Sequence, residues 1–184
     1  NEQSFNSRGG LDVLDAFSIL QQSYSHVYLT LRDLPAEQKQ KYKDKINWNR
    51  VHEIDQFCQE RTWKRILRQT DIYVLPFRSL DVPSILEAMS FGTAQIVTDV
   101  EGLTKLIHHG ENGIVIQGHC KNLEHSPKTT GKGLKNLQIA REPEPELVRK
   151  LVREISNLVE NPKELCRLQM AAYQSVKKDF NSDL

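Results

Sequence analysis

The stretch from Asp71 to Ile116, DIYVLPFRSLDVPSILEAMSFGTAQIVTDVEGLTKLIHHGENGIVI, leaves the chain few choices of fold. Ile72 to Leu75 is a short apolar, β-branched run stopped by Pro76, as suits a strand buried on both faces. Ser84 to Phe91 has a helical pattern and stops at Gly92, a residue that accepts the left-handed conformation found at helix ends. Ala94 to Val97 is a second buried strand, with Thr98 and Asp99 at its carboxyl end, and a short helix leads to a third strand ending at Ile116. Strands separated by helices require right-handed crossovers and a parallel sheet with helices on both faces. The expected class is therefore α/β, a Rossmann-like parallel sheet. Ligands of such sheets bind outside the carboxyl ends of the strands, so the polar residues there are the functional suspects.

The flanking sequence continues the alternation. Asn1 to Gly10 is polar, ends in SRGG and reads as a loop leading into a helix from Leu11 to about Tyr24. His26 to Leu31 and Val51 to Ile54 read as strands. Between them, AEQKQKYKDK is a solvated helix or a mobile excursion. Glu60 to Gln69 is a helix with Trp63, Ile66 and Leu67 on one face, and helices are expected from Leu147 to Val159 and from Pro162 to about Lys178. Residues 117–142 lack periodicity and read as a mobile loop or an insertion. Lys121, Lys128, Lys132 and Lys135 within them suit a solvated surface or an anion contact.

At 184 residues one domain, 1–184, is expected. A net charge of +1 gives no basic field to attract nucleic acid. The three cysteines, Cys58, Cys120 and Cys166, are odd in number and irregular in spacing, which points to a reducing compartment rather than a disulfide framework or metal ligands. No apolar run approaches the roughly 20 residues that a membrane helix needs. The first residue is Asn rather than Met, so a piece of a longer chain, or a chain with a disordered start, is expected.

PSILEAMSFGTAQIVTD followed by EGLTKLIHHGENGIVI resembles the carboxyl-terminal, nucleotide-sugar-binding domain of the retaining GT-B-fold glycosyltransferases, the glycosyl transferases group 1 family. SRGGLDVLDAF resembles that family's Lys-Gly entry to its first helix, and RTWKRILRQTDIYVLPF resembles its approach to a strand ending in Pro-Ser, so the resemblance covers nearly the whole chain. It implies half of a GT-B fold that binds a nucleoside-diphosphate sugar as co-substrate and needs no metal cofactor. It also implies an amino-terminal domain, absent from this sequence, that receives a carbohydrate or lipid-linked acceptor. The full-length enzyme would then be cytoplasmic or held peripherally at the cytoplasmic face of a membrane.

By the same resemblance Glu87 matches the glutamate that grips the ribose hydroxyls, a task suited to a carboxylate because it accepts two hydrogen bonds from a diol. Pro83, Ser84, Ile85 and Leu86 occupy the amino end of that helix, whose main-chain donors and dipole would hold the diphosphate. The family's sugar-contacting carboxylate falls at Ser79, a departure; Asp81 could replace it or simply cap the helix. Arg78 in the same loop could meet phosphate or sugar. Arg8 matches the family's phosphate-binding Lys, whereas Gln3 stands where its Arg would be. Trp48, Arg50 and His52 to Ile54 approach the expected base site, and His108 and His109 read as a solvated pair. Two alternatives remain: a degenerate nucleotide-binding or regulatory domain without turnover, and another GT-B enzyme such as a sugar epimerase.

Overall fold

The structure, a computed structural model, describes residues 2–55, 58–76, 81–100, 102–118 and 142–180. Two helices, α1 (Glu2–Ser7) and α2 (Gly10–Ser23), precede strand β1 (Leu29–Arg32). The short helix α3 (Ala36–Lys41) and a 3-10 turn at Trp48–Arg50 lead to β2 (Val51–Ile54). Helix α4 (Glu60–Arg68), β3 (Ile72–Leu75), α5 (Val82–Ser90), β4 (Ala94–Thr98), a 3-10 turn at Leu103–Lys105 and β5 (Ile114–Ile116) follow, and α6 (Pro145–Glu160) and α7 (Pro162–Phe180) close the chain. Among the described residues all three strand pairings are parallel, which confirms the α/β class.

The expected loop over Asn1 to Gly10 is mostly helix instead. Phe5 is the reason: it is buried in a cluster with Leu11, Leu14 and Phe17 of α2 and Leu31 of β1, an anchor that polar local sequence conceals. The first six residues of the charged AEQKQKYKDK segment form α3, and Tyr42 directly after it is buried in the same cluster. The first strand begins at Leu29, later than the apolar alternation from His26 indicates.

The strands do not form one continuous ladder. β1 pairs with β2, β4 lies between β3 and β5, and no pairing joins β1 to β3 among the described residues. This corrects the expectation that Ile72 to Leu75 is buried on both faces: all four residues are half-buried, while the five of central β4 are fully buried. One face of the larger sheet packs Ala94, Ile96, Ile114 and Ile116 against α6 and Leu168 of α7. The other face packs Val97 against Ile85 and Met89 of α5 and Ala172 and Val176 of α7. Asp12 of α2 is buried and accepts a hydrogen bond from the Glu144 backbone N–H at 2.7 Å, which ties α2 to the start of α6.

Candidate functional site

Two helix starts meet at the carboxyl ends of the strands. Helix α5 begins at Val82, two residues before the periodicity indicates, because Asp81 caps it and Pro83 is tolerated within the first turn. The Asp81 carboxylate accepts from the Ser84 N–H at 3.4 Å and from the Ser84 hydroxyl at 2.9 Å. The Ile85 N–H donates to the Asp81 carbonyl at 3.4 Å. The expected main-chain cradle over Pro83 to Leu86 is therefore corrected. Pro83 has no N–H to offer, Ser84 and Ile85 donate to Asp81, and Leu86 lies beyond the first four residues whose N–H groups lack helical partners.

The other helix start is α2. Gly9 has φ +74°, and a Cβ there would stand 2.5 Å from the Pro76 carbonyl oxygen, so α2 begins in direct contact with the end of β3. That approach carries Arg8 to α5: its Nη2 lies 3.6 Å from Asp81 Oδ2. The sequence candidates Arg8 and Asp81 are thus brought together across the tertiary fold. Asp81 serves as a cap and as the partner of Arg8. The Arg8 guanidinium stays accessible beside this partner, with 46% of its side chain exposed.

Glu87 sits in the second turn of α5, half-buried. Its Oε2 accepts a hydrogen bond at 2.9 Å from the Trp63 indole N–H of α4. The Arg32 guanidinium at the carboxyl end of β1 lies 5.1 Å from the centroid of the Trp63 ring, a distance that permits cation–π attraction. A carboxylate has about four lone-pair sites, so one indole donor orients Glu87 and leaves capacity for a diol. The helical face that holds Trp63 is apparent in the sequence. Its role as the orienting donor is not, and the only local signal is that a partly buried indole N–H needs an acceptor.

Tyr73 of β3 belongs to the same constellation and was also missed. Burial first, then the nearby carboxylates Asp81 and Glu87, push its phenol from 10.0 up to about 12, against the lowering influence of Arg8 and Arg32. The phenol therefore stays neutral at and above the pH at which a free tyrosine ionises. Because the folded value exceeds the ordinary one, the unfolded chain loses its proton first as pH rises. The stabilisation is complete below pH 10 and is lost between about pH 10 and 12. Denaturant melts taken across that window are expected to show a shallower alkaline decline for Tyr73→Phe than for the parent. Part of the decline persists because burial and Asp15 also raise Tyr42.

The remaining candidates fall elsewhere. Arg78 and Ser79 lie outside the described residues, as do the side chain of Gln3 and all but the ends of the 117–142 segment. Trp48 and Arg50 precede β2 and stand at its amino end, opposite the site. Arg50 Nη1 donates to the Gln21 carbonyl at 3.0 Å and Nε to the Val27 carbonyl at 3.0 Å, fastening the chain that leaves α2. Asp99 accepts from the Gly118 N–H at 2.7 Å and so holds the chain beyond β5. His108 and His109 are exposed, but His109 Nδ1 accepts from the Val115 N–H at 3.0 Å, so it braces the turn.

The family model described as Glycosyl transferases group 1 matches residues 4–125. Comparison with curated proteins gives no significant sequence match. Among solved structures, the C-terminal domain of the glycosyl transferase group 1 family protein LpcC from Francisella tularensis is similar at TM-score 0.70 and 16% identity, over 95% of this chain and 80% of that one. WaaG, a glycosyltransferase involved in lipopolysaccharide biosynthesis, is similar at TM-score 0.69 and 15% identity, over 95% of this chain and 40% of that one. HepE of Anabaena, solved in complex with UDP-glucose, is similar at TM-score 0.64 and 17% identity, over 95% of this chain and 42% of that one. At such identities the likeness shows the fold. The chain spans most of the LpcC domain but less than half the length of WaaG or HepE.

Proposed function

Since this chain belongs to the glycosyl transferases group 1 family, we propose that it is the donor-binding half of a retaining GT-B glycosyltransferase. It holds a nucleoside-diphosphate sugar, and an acceptor domain elsewhere in the longer protein completes the cleft. The observation that carries this reading is the orientation of Glu87 by Trp63 at the end of the sheet where Arg8 also stands. Glu87 takes the ribose hydroxyls. Arg8 exchanges its contact with Asp81 for charge-assisted hydrogen bonds to the diphosphate, which are stronger than bonds between neutral groups. As the bond from the sugar to the diphosphate breaks, negative charge grows on the leaving oxygen, and a guanidinium already fixed beside it lowers the barrier. Asp81, released from Arg8, is then available to the sugar hydroxyls. Charge neutralisation in this scheme comes from Arg8 and the dipole of α5 rather than a metal.

The acceptor is a carbohydrate or lipid-linked sugar, and the isolated domain binds donor without transferring it. HepE was solved with UDP-glucose, and the pneumococcal O-GlcNAc transferase GtfA with UDP and GlcNAc, so UDP and its sugars are the first ligands to test. Location in the cytoplasm or at the cytoplasmic face of a membrane is part of the same proposal. Among the described residues no helix is long and apolar enough to cross a membrane. A second reading, nucleotide binding without turnover, draws on Asp81 being already engaged as a cap. Calorimetric titration with UDP, GDP and their sugars tests the shared step, and the absence of any nucleotide binding would reject both readings. Trp63→Phe keeps the aromatic packing but removes the N–H, and is expected to weaken nucleotide binding about tenfold, equivalent to one hydrogen bond to a charged group. Unchanged affinity in that variant would show that Trp63 does not position Glu87.

A further inference from the structure

Helix α4 carries a row of cations that the donor site does not use. Its exposed Arg61, Arg65 and Arg68 recur at helical spacing, so they form one stripe about 10 Å long on the outward face. None of the three has a carboxylate partner among the described residues, although Lys64 on the same helix pairs with Glu60. The other described arginines are all engaged: Arg8 with Asp81, Arg32 with the Trp63 ring, Arg50 with backbone carbonyls, and Arg149, Arg153 and Arg167 with glutamates. The stripe ends at a groove of about 520 Å³. Arg68 lies 5.3 Å from the centroid of the Phe91 ring, and both line this groove. Met170 and Tyr173 of α7 line it too, and they are large apolar side chains left 57% and 46% exposed.

We infer that stripe and groove together are a docking surface for an acidic segment of a partner protein, which seats one apolar side chain among Phe91, Met170 and Tyr173 and lays carboxylates along the arginines. Charge complementarity decides the occupant. A row of guanidiniums with no acid to answer it selects an anionic chain, and each can take a carboxylate through two parallel hydrogen bonds. Spacing agrees. Neighbouring arginines on one helical face stand about 5–6 Å apart at Cβ, and alternate side chains of an extended segment recur about every 6.6 Å. Tyr, Phe, Met and Arg are also the side chains enriched at protein interfaces. Arg68 is already held against Phe91, so less rotamer freedom is lost when a partner binds. The concave groove suits an inserted side chain rather than the flat face of a bilayer. A two-fold contact with a second copy would set the same arginines against one another. The surface is also separate from the donor site. Phe91 and Gly92 lead into the start of β4, and the Gln169 side chain in the groove donates to the Asp71 carbonyl before β3 at 3.2 Å. The groove therefore lies at the amino ends of the strands, opposite Arg8 and Glu87.

Fluorescence anisotropy with a labelled peptide of one leucine followed by a run of glutamates tests this on the 184-residue chain without nucleotide, so its failure is distinguishable from failure of the proposed function. Saturable binding is expected. It should weaken about tenfold when the leucine is replaced by glycine, and by a similar factor in Tyr173→Ala or in the Arg65→Ala, Arg68→Ala double variant. Arg149→Ala with Arg153→Ala removes equal charge elsewhere and is expected to leave the affinity unchanged, as is saturating UDP. All the substituted residues are exposed, so the thermal melts of the variants should match that of the parent. Absence of binding overturns the inference, and so does an equal loss in the two arginine pairs, which would reduce the contact to net charge. Displacement of the peptide by UDP overturns it by placing the contact in the donor site. Binding to phosphatidylglycerol vesicles without binding to the peptide would assign the surface to a membrane, and a dimer in sedimentation that Tyr173→Ala breaks would assign it to a second copy; either rejects the acidic partner.

Discussion

Replacing Gly9 with alanine is expected to destabilise the domain by ~2–5 kcal/mol, because a left-handed conformation costs an L-residue ~1–2 kcal/mol and an overpacked contact adds ~1–3 kcal/mol. The new Cβ would meet the Pro76 carbonyl oxygen at 2.5 Å and the Pro76 ring at 2.4 Å, and neither is the free end of a flexible side chain. In a chain of this size that corresponds to a fall in Tm of ~4–20 °C in a thermal melt. Gly110 supplies the control: its φ is +77°, but a Cβ there would meet nothing within 4 Å. Gly110→Ala should therefore show only the strain, ~1–2 kcal/mol. Equal effects at the two positions would mean that α2 is not held against β3. The consequence reaches the site, since moving the start of α2 moves Arg8 away from Asp81.

Glu87→Ala is expected to weaken nucleotide binding about ten- to a hundredfold, since a hydrogen bond to a charged group contributes ~1.5–3 kcal/mol and tenfold corresponds to 1.4 kcal/mol. The fold should tolerate the change, because Glu87 is half-buried and its carboxylate is bonded to Trp63. Glu87→Gln keeps the shape and one acceptor oxygen but loses the charge, so its affinity should fall between the parent and the alanine variant. A matching Tm for all three proteins would separate lost binding from lost structure.

How far these expectations were legible in the sequence depends on the range of the interactions. Val51–Ile54 and Ile72–Leu75 are strands over the residues that the β-branched runs indicate, and Pro76 bounds the second. The helices from Glu60 and from Pro162 likewise follow their apolar periodicity. Helix α1 was not legible, because Phe5 is held by residues of α2 and β1 rather than by its neighbours. The separation of β1 from β3 was hidden too: strand propensity says that a run pairs, not which edge it pairs with. Within the site, Glu87, Arg8 and Asp81 emerged from the family resemblance, whereas the Arg8–Asp81 pair, the Trp63 donor and the neutral Tyr73 depend on side chains that only the tertiary fold assembles. The start of α5 differs from the expected Ser84 because Pro83 reads as a helix boundary, whereas Asp81 caps the helix before Val82 and a proline in the first turn costs no hydrogen bond.

The central claim, that this domain grips a nucleoside diphosphate through Glu87, is tested most directly by titrating UDP into the parent and Glu87→Ala proteins in a calorimeter, with GDP as the alternative base. The account predicts saturable binding to the parent and at least a tenfold loss in the variant, with the thermal melt unchanged. Binding of equal strength to both proteins would contradict it.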